Sequence, residues 1–254
     1  PGVETTTGPL GQGIATAVGM ALAEKKLAEE FNTADFGLVD HRTWVIVGDG
    51  CLMEGISHEA ASLAGTLALE KLICIYDDNG ISIDGEVDAW FSEDVPARFE
   101  AYGWRVIRNV DGHDAEEITS ALSTAAKSDG RPTLVCCKTT IGFGSPNKQG
   151  TASAHGSVLG REEIELTKAA IGWAHAGWDI PEGVYQAWNQ RDSGEKRQNE
   201  WQQVLDGYAA AHPDQAAEFV RRMRGELPNN WHESIQAFAE KEQLSPANLE
   251  TRKS

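Results

Sequence analysis

The segment 43–83 constrains the fold more than any other part of the chain. An apolar run at 44–47 is closed by Gly48 and predicts a buried strand. A helical pattern follows over about 54–69, and a second apolar run at 72–76 predicts another strand. Because alternating strands and helices of these lengths are typical of parallel sheets, the sequence predicts an α/β fold.

Oxygen-bearing side chains follow both predicted strands. Asp49 lies between two glycines after the first strand, and Asn79 ends the sequence Asp-Asp-Asn after the second. The carboxyl ends of parallel strands meet at the sheet edge where ligands bind. A carboxylate, an amide oxygen and a backbone carbonyl suit Mg²⁺ or Ca²⁺. The pattern indicates a metal-bridged phosphate or diphosphate, the alternative being that Asp49 and Asn79 only cap a helix and a turn.

The remainder of the chain continues the alternation and then becomes helical. The sequence predicts a mostly parallel sheet with helices on both faces, followed by a helical appendage. It predicts further strands at 104–107 and 133–137, and helices at 14–31, 92–102 (capped by Ser92), 115–127, 161–171, 181–191, 196–211, 213–224 and 230–243. We therefore predict an α/β domain over 1–160 and a helical extension and linker over 161–254.

Two glycine-rich loops are candidate ligand sites. The loop 1–13 lacks the preceding strand that a dinucleotide-binding fingerprint requires, which argues against a dehydrogenase, and it lacks the Gly-Lys-Ser/Thr of a P-loop. The loop 139–160 follows a predicted strand and carries Lys148 and His155. Loops of this length are usually functional or disordered.

Composition excludes several classes of partner. A net charge of −17 argues against binding to nucleic acid or to an anionic membrane surface, and no apolar run approaches the length of a membrane span. Four cysteines without metal spacing predict reduced thiols in a cytoplasmic protein. Because the chain begins at Pro1 without a methionine, we interpret it as a piece of a longer polypeptide.

Several motifs occur together in a fixed order: GPLGQG, GDGCLMEGISHEA, YDDNGISIDG, FEAYGW, DGHD, CKTTIGFGSPNK and AHG. In this combination the chain resembles the transketolase family along essentially its whole length. The resemblance implies thiamine diphosphate and a divalent cation, Mg²⁺ with Ca²⁺ as an alternative, as cofactors. It further implies transfer of a two-carbon ketol unit from a ketose phosphate to an aldose phosphate, by a homodimer.

The resemblance also implies roles for individual residues. It gives the metal ligands as the Asp49 and Asn79 side chains and the Ile81 carbonyl. It gives the cofactor contacts as Gly8, Pro9, Leu10, Gly50, Asn79 and His155. His155 would contact substrate as well, and Glu54 would lie at the subunit interface, linked to cofactor activation.

The family's other catalytic parts are not found in this sequence. In the family, the glutamate that protonates the cofactor and the arginines that hold the sugar phosphate belong to a following domain. We therefore expect this chain to be inactive alone. Alternatives are a non-catalytic cofactor-binding or dimerisation module, or one subunit of a split enzyme. Dihydroxyacetone synthase and deoxyxylulose-phosphate synthase are further related possibilities.

Overall fold

A computed structural model describes residues 3–244, and the expectations for residues 1–2 and 245–254 lie outside the described residues. The chain forms two compact units, the first of Pro1–Asn32 with Val39–Arg191 and the second of Thr33–Leu38 with Asp192–Ser254. The first unit thus continues past residue 160. The division at 160 stays a prediction about the domains of the complete protein.

The first unit contains a four-stranded sheet in the order β1-β2-β6-β5. All three pairings are parallel, which confirms the predicted α/β class. The strands are β1 (Thr43–Gly48), β2 (Leu72–Asp78), β5 (Arg105–Asp111) and β6 (Thr133–Lys138), and a separate two-stranded hairpin consists of β3 (Ile81–Ser82) and β4 (Gly85–Glu86).

Alternate residues of each strand point to opposite sides, and helices pack on both faces of the central strands. On one face of the edge strand β1, Trp44 and Ile46 are exposed, so the predicted buried strand at 44–47 is buried on one face only. On β2, Leu72 and Cys74 belong to one buried cluster, whereas Ile73 belongs to a second. The first unit contains α1 (Gln12–Phe31), α2 (Asp49–Met53), α3 (Gly55–Thr66), α4 (Val95–Ala101), α5 (Ala115–Ala125), α6 (Arg161–Ala170) and α7 (Glu182–Trp188). The first cluster includes residues of α1 to α4, and the second includes residues of α5.

Two helical features differ from the predictions. The helix predicted over 54–69 is present as α3, but the short helix α2 before it was not predicted, and Glu54, whose backbone is extended (φ −69°, ψ 136°), separates the two helices. Gly55 makes this break inexpensive, since glycine disfavours a helix interior. Ser92 was also the wrong cap. Asp94 caps α4 by accepting the Ala97 N–H at 2.9 Å.

The second unit is helical, as predicted. It contains α8 (Arg191–Ala211), α9 (Pro213–Met223) and α10 (Trp231–Leu244). The segment 33–38 packs within this unit, where the Phe36 and Tyr208 rings meet edge to face at 5.9 Å. Across residues 3–244, no helix is long and apolar enough to cross a membrane.

Candidate cofactor and metal site

Asp49 is the most deeply placed of the predicted site residues. It follows β1 directly and opens α2, and it is only 4% exposed. Its Oδ1 accepts the Tyr76 hydroxyl at 2.5 Å, and its Oδ2 accepts the Gly80 N–H at 3.0 Å. Both contacts come from β2 and the turn beyond it. The structure therefore brings the ends of the two strands together, as predicted.

The surroundings of Asp49 disfavour its negative charge. Burial is the main cause that raises its pKa, and the nearby carboxylates of Asp78 and Asp77 add to the rise. The bonds from Tyr76 and Gly80 act in the opposite direction, but both donors are neutral. Asp78 differs, because the Lys138 ammonium lies 2.5 Å from its carboxylate. A cation at Asp49 would supply the compensating charge.

Asn79 lies in the turn after β2, next to the Gly80 amide that contacts Asp49. Its Oδ1 accepts the Ile81 N–H at 3.0 Å, and its Nδ2 donates to Asp77 at 3.2 Å. These bonds form the turn that the alternative interpretation requires. They do not exclude ligation, because an amide oxygen has a second lone pair. Ile81 opens the short strand β3 directly after this turn.

The loop at 8–11 packs against the same edge. A Cβ atom added to Gly50 would lie 3.1 Å from the Leu10 side chain. A larger residue at position 50 would therefore crowd Leu10. Gly11 has φ +81°, and a Cβ there would lie 2.9 Å from the Glu54 Cβ. Gly8 has open space around its Cα. The structure thus places the first glycine loop beside both Gly50 and Glu54.

Glu54 occupies the position before the first residue of α3 but makes no side-chain capping bond there. Its backbone carbonyl accepts the Ser57 N–H at 3.0 Å, and its side chain is exposed. Since Glu54 does not cap α3, its carboxylate remains available to another group. An ordinary glutamate at a helix N-terminus would have the same exposure, so the role of Glu54 at a subunit interface stays a prediction.

His155 lies on the long loop after β6. This loop leaves the same sheet edge, where the Thr139 hydroxyl donates to Asp77. The His155 side chain is exposed, and its backbone N–H donates to the Ala152 carbonyl at 2.9 Å. Within residues 3–244, no hydrogen bond or ion pair joins the His155 side chain to another predicted site residue.

The residues at this edge fit a hard divalent cation. The predicted donors are all oxygen atoms, and the buried Asp49 carboxylate contacts only neutral groups. In the part of the chain that the structure describes, no group of three or more His, Cys, Asp or Glu side chains could hold a metal. The predicted metal ligands do not form such a group, because only one of the three is a carboxylate and the other two are an amide oxygen and a backbone carbonyl.

A protein-family model described as "Transketolase, thiamine diphosphate binding domain" matches residues 1–228. The chain belongs to the transketolase family. Transketolase 1 of Aliivibrio fischeri is 59% identical over 253 residues, which cover 100% of this chain and 38% of the relative. Transketolase 1 of Vibrio cholerae is 55% identical over the same share of each chain. This transketolase chain therefore spans well under half the length of these curated relatives.

Solved transketolase structures share the fold. Transketolase from Leishmania mexicana superposes with a TM-score of 0.87 at 48% identity, covering 91% of this chain and 35% of that one. A Pichia stipitis transketolase in complex with sedoheptulose 7-phosphate gives a TM-score of 0.86 at 43% identity, covering 90% and 34%. The likeness confirms the predicted fold and family.

Sequence reasoning missed three groups that shape this edge. Tyr76 belongs to the apolar run of β2, and nothing in the pattern marked its hydroxyl as a partner of Asp49. The Gly80 contact was missed for a different reason, because it is made by a backbone N–H, which leaves no signal in the sequence. Glu163, which holds the His155 loop, lay in a segment predicted to be only a helical appendage.

Proposed function

We propose that this chain is the cofactor-anchoring part of an enzyme that moves a two-carbon ketol unit from a ketose phosphate to an aldose phosphate. Membership of the transketolase family supports this activity. The observation that carries the proposal is the buried Asp49 carboxylate at the sheet edge, which lies among neutral donors and calls for a cation. A solved relative described as a complex with sedoheptulose 7-phosphate supports sugar phosphates as substrates.

Asp49, Asn79 and the Ile81 carbonyl would hold the divalent cation, with Mg²⁺ preferred because it keeps positions open for phosphate oxygens. Calcium or another divalent cation could replace it. The diphosphate would contact Gly50 and Asn79, where the absence of a side chain on glycine permits close approach. When bound, thiamine diphosphate supplies the electron sink for cleaving and forming the carbon–carbon bond.

The first glycine loop would form one wall of the cofactor site, through Gly8, Pro9 and Leu10. Leu10 supports this role because it is 53% exposed while touching the Gly50 position. His155 would contact both the cofactor and the substrate from the opposite loop. Its exposed side chain at the tip of a well-bonded loop is consistent with a contact completed only when ligand is present.

Glu54 would act across a homodimer interface, where its carboxylate joins the network that activates the cofactor. Its exposure and its lack of a capping bond support this role. We propose sugar phosphates and a second copy of the protein as partners, with neither nucleic acid nor membrane among them. The strongly negative net charge supports both exclusions. We also propose a cytoplasmic location, which four unpaired cysteines support.

The 254-residue chain alone should bind the cofactor weakly and show no ketol transfer. Diphosphate anchoring fixes one end of the cofactor, whereas proton transfer at the other end needs a positioned acid, whose loss costs about 10²–10⁴-fold. Lost orientation adds to this effect.

The test assays the purified chain with a ketose phosphate donor, an aldose phosphate acceptor, Mg²⁺ and excess thiamine diphosphate. Activity near that of a complete transketolase would refute the proposal that this chain is only the anchoring part.

A further inference from the structure

The loop that carries His155 is held by a buried acid from outside it. Glu163, in the first turn of α6, is 7% exposed. Its Oε1 accepts the Ser145 hydroxyl and, at 2.9 Å, the Asn147 N–H. Its Oε2 accepts the Asn147 side-chain amide at 2.9 Å. One carboxylate thus fixes three groups within three consecutive loop residues, and Ser145 itself is fully buried.

The next residue, Lys148, makes hydrogen bonds to residues on both sides of His155. Its carbonyl accepts the Thr151 hydroxyl at 2.8 Å, before His155 in the chain. Its ammonium donates to the Val158 carbonyl at 3.1 Å, after His155. Both sides of the histidine are therefore tied to Lys148, and Lys148 follows directly on the residues that Glu163 holds.

We propose that Glu163 is a positioning residue for His155. The carboxylate fixes residues 145–147, these place Lys148, and Lys148 sets the path of the segment that presents the histidine. The inference rests on the proposed function in one respect, namely that His155 acts at the cofactor and substrate.

The ionisation of Glu163 supports this arrangement. The Ser145 hydroxyl is the main cause that lowers the pKa of Glu163, followed by the side chain and backbone of Asn147. The carboxylate is therefore charged at neutral pH, where it acts as an acceptor on both oxygens. Hydrogen bonds to a charged acceptor are stronger than those between neutral groups.

The substitution Glu163→Gln tests the role with little change of shape. The glutamine oxygen can still accept from Ser145 and the Asn147 N–H, but its NH₂ group then faces the NH₂ group of Asn147. Two donors in contact cannot bond. Adding Asn147→Asp reverses the pair, because the glutamine NH₂ then donates to the new carboxylate. The double variant also has the same net charge as the original chain.

Hydrogen exchange measured by mass spectrometry on the 254-residue chain reports the loop directly. In Glu163→Gln, amides over 148–158 should exchange about tenfold faster, the factor expected for one lost charge-assisted hydrogen bond. Exchange in the double variant should return close to the original rate. Unchanged exchange in Glu163→Gln would overturn the proposal, and so would equally fast exchange in the double variant.

Turnover in the complete enzyme tests whether Glu163 acts through His155. Glu163→Gln should lower kcat about tenfold in the original background and have little further effect in a His155→Ala background, since residues that act as one unit are not additive. Equal losses in both backgrounds would refute a role through His155. Normal turnover of His155→Ala alone would instead refute the role of His155 in the proposed function, a failure that the exchange measurement distinguishes.

Discussion

Replacing Asp49 by asparagine should remove metal-dependent stabilisation without weakening the metal-free chain. The asparagine oxygen can keep the Gly80 N–H, and its NH₂ can donate to the Tyr76 hydroxyl, which then accepts instead of donating. Both hydrogen bonds survive, so only their charge assistance is lost, about 1 kcal/mol for each bond. Because asparagine is neutral, the free-energy cost of burying a charge at this position disappears, which opposes this loss. Because burial outweighs the hydrogen bonds in setting the pKa of Asp49, we expect a net effect near zero or slightly stabilising.

The metal-dependent part has a calculable size. A cation and cofactor at about 100 times their dissociation constant add about 2.7 kcal/mol to the folded state. For a chain of this length, that free energy corresponds to a rise in Tm of about 5–11 °C. In Asp49→Asn the rise should vanish, because the only carboxylate among the predicted ligands is gone.

The same substitution should alter the dependence of stability on pH. The pKa of Asp49 is raised in the folded state, so its contribution to metal-free stability is highest below its ordinary value near 3.8 and falls as the pH rises toward the raised value. Asp49→Asn should lack this fall. In the presence of Mg²⁺ and thiamine diphosphate, the original chain should recover stability at neutral pH.

Thermal unfolding followed by circular dichroism, with and without Mg²⁺ and thiamine diphosphate, measures these effects. Asp84→Asn is a matched control, because the substitution removes the same charge and Asp84 is exposed in the turn between β3 and β4. A metal-dependent rise in Tm that persists in Asp49→Asn would refute the site. A metal-free loss above about 2 kcal/mol, the full charge assistance of both bonds, would refute the electrostatic reasoning.

Two further substitutions test the loops around the site. In the complete enzyme, His155→Ala should slow turnover by about 10² or more while its Tm stays nearly unchanged, because a loop side chain contributes little to the core; unaltered turnover at saturating donor and acceptor would contradict this. Gly11→Ala should cost at least about 1–2 kcal/mol from its positive φ alone, and its Cβ would also press on Glu54. Urea unfolding measures that loss, and Gly19→Ala, which has open space, should show none.

The sequence predicted the strands and the edge where they end better than it predicted helix boundaries. Apolar runs mark β2 and β6 directly, because strands buried on both faces are apolar at nearly every position. The apolar run of β1 also marks a strand, but Trp44 and Ile46 are exposed on one of its faces, so the prediction of a buried strand is wrong there. The helix predicted over 54–69 is present as α3, but the short helix α2 and the break at Glu54 were missed, and Gly11 approaches Glu54 closely at this break. That contact joins residues far apart in the chain and leaves no local pattern.

The candidate site shows the same difference between features with a local sequence pattern and features that depend on contacts between distant segments. Asp49 and Asn79 could be placed at one edge from strand order alone, and the structure brings their strand ends together through the Gly80 amide. The supporting groups could not be found in this way. Tyr76 and Glu163 act through burial and through contacts between distant segments, and these arise only after the chain has folded.

The strand order β1-β2-β6-β5 also fixes an order of events during synthesis. β5 leaves the ribosome before β6, yet β6 lies between β2 and β5 in the sheet. Among the strands in residues 3–244, the edge strand β5 therefore has no sheet partner until residues 133–138 have emerged and inserted beside β2. Before then, β1 can pair with β2 and β3 with β4, but β5 stays unpaired, so a pause in translation before β6 leaves β5 exposed to non-native pairing and to chaperones.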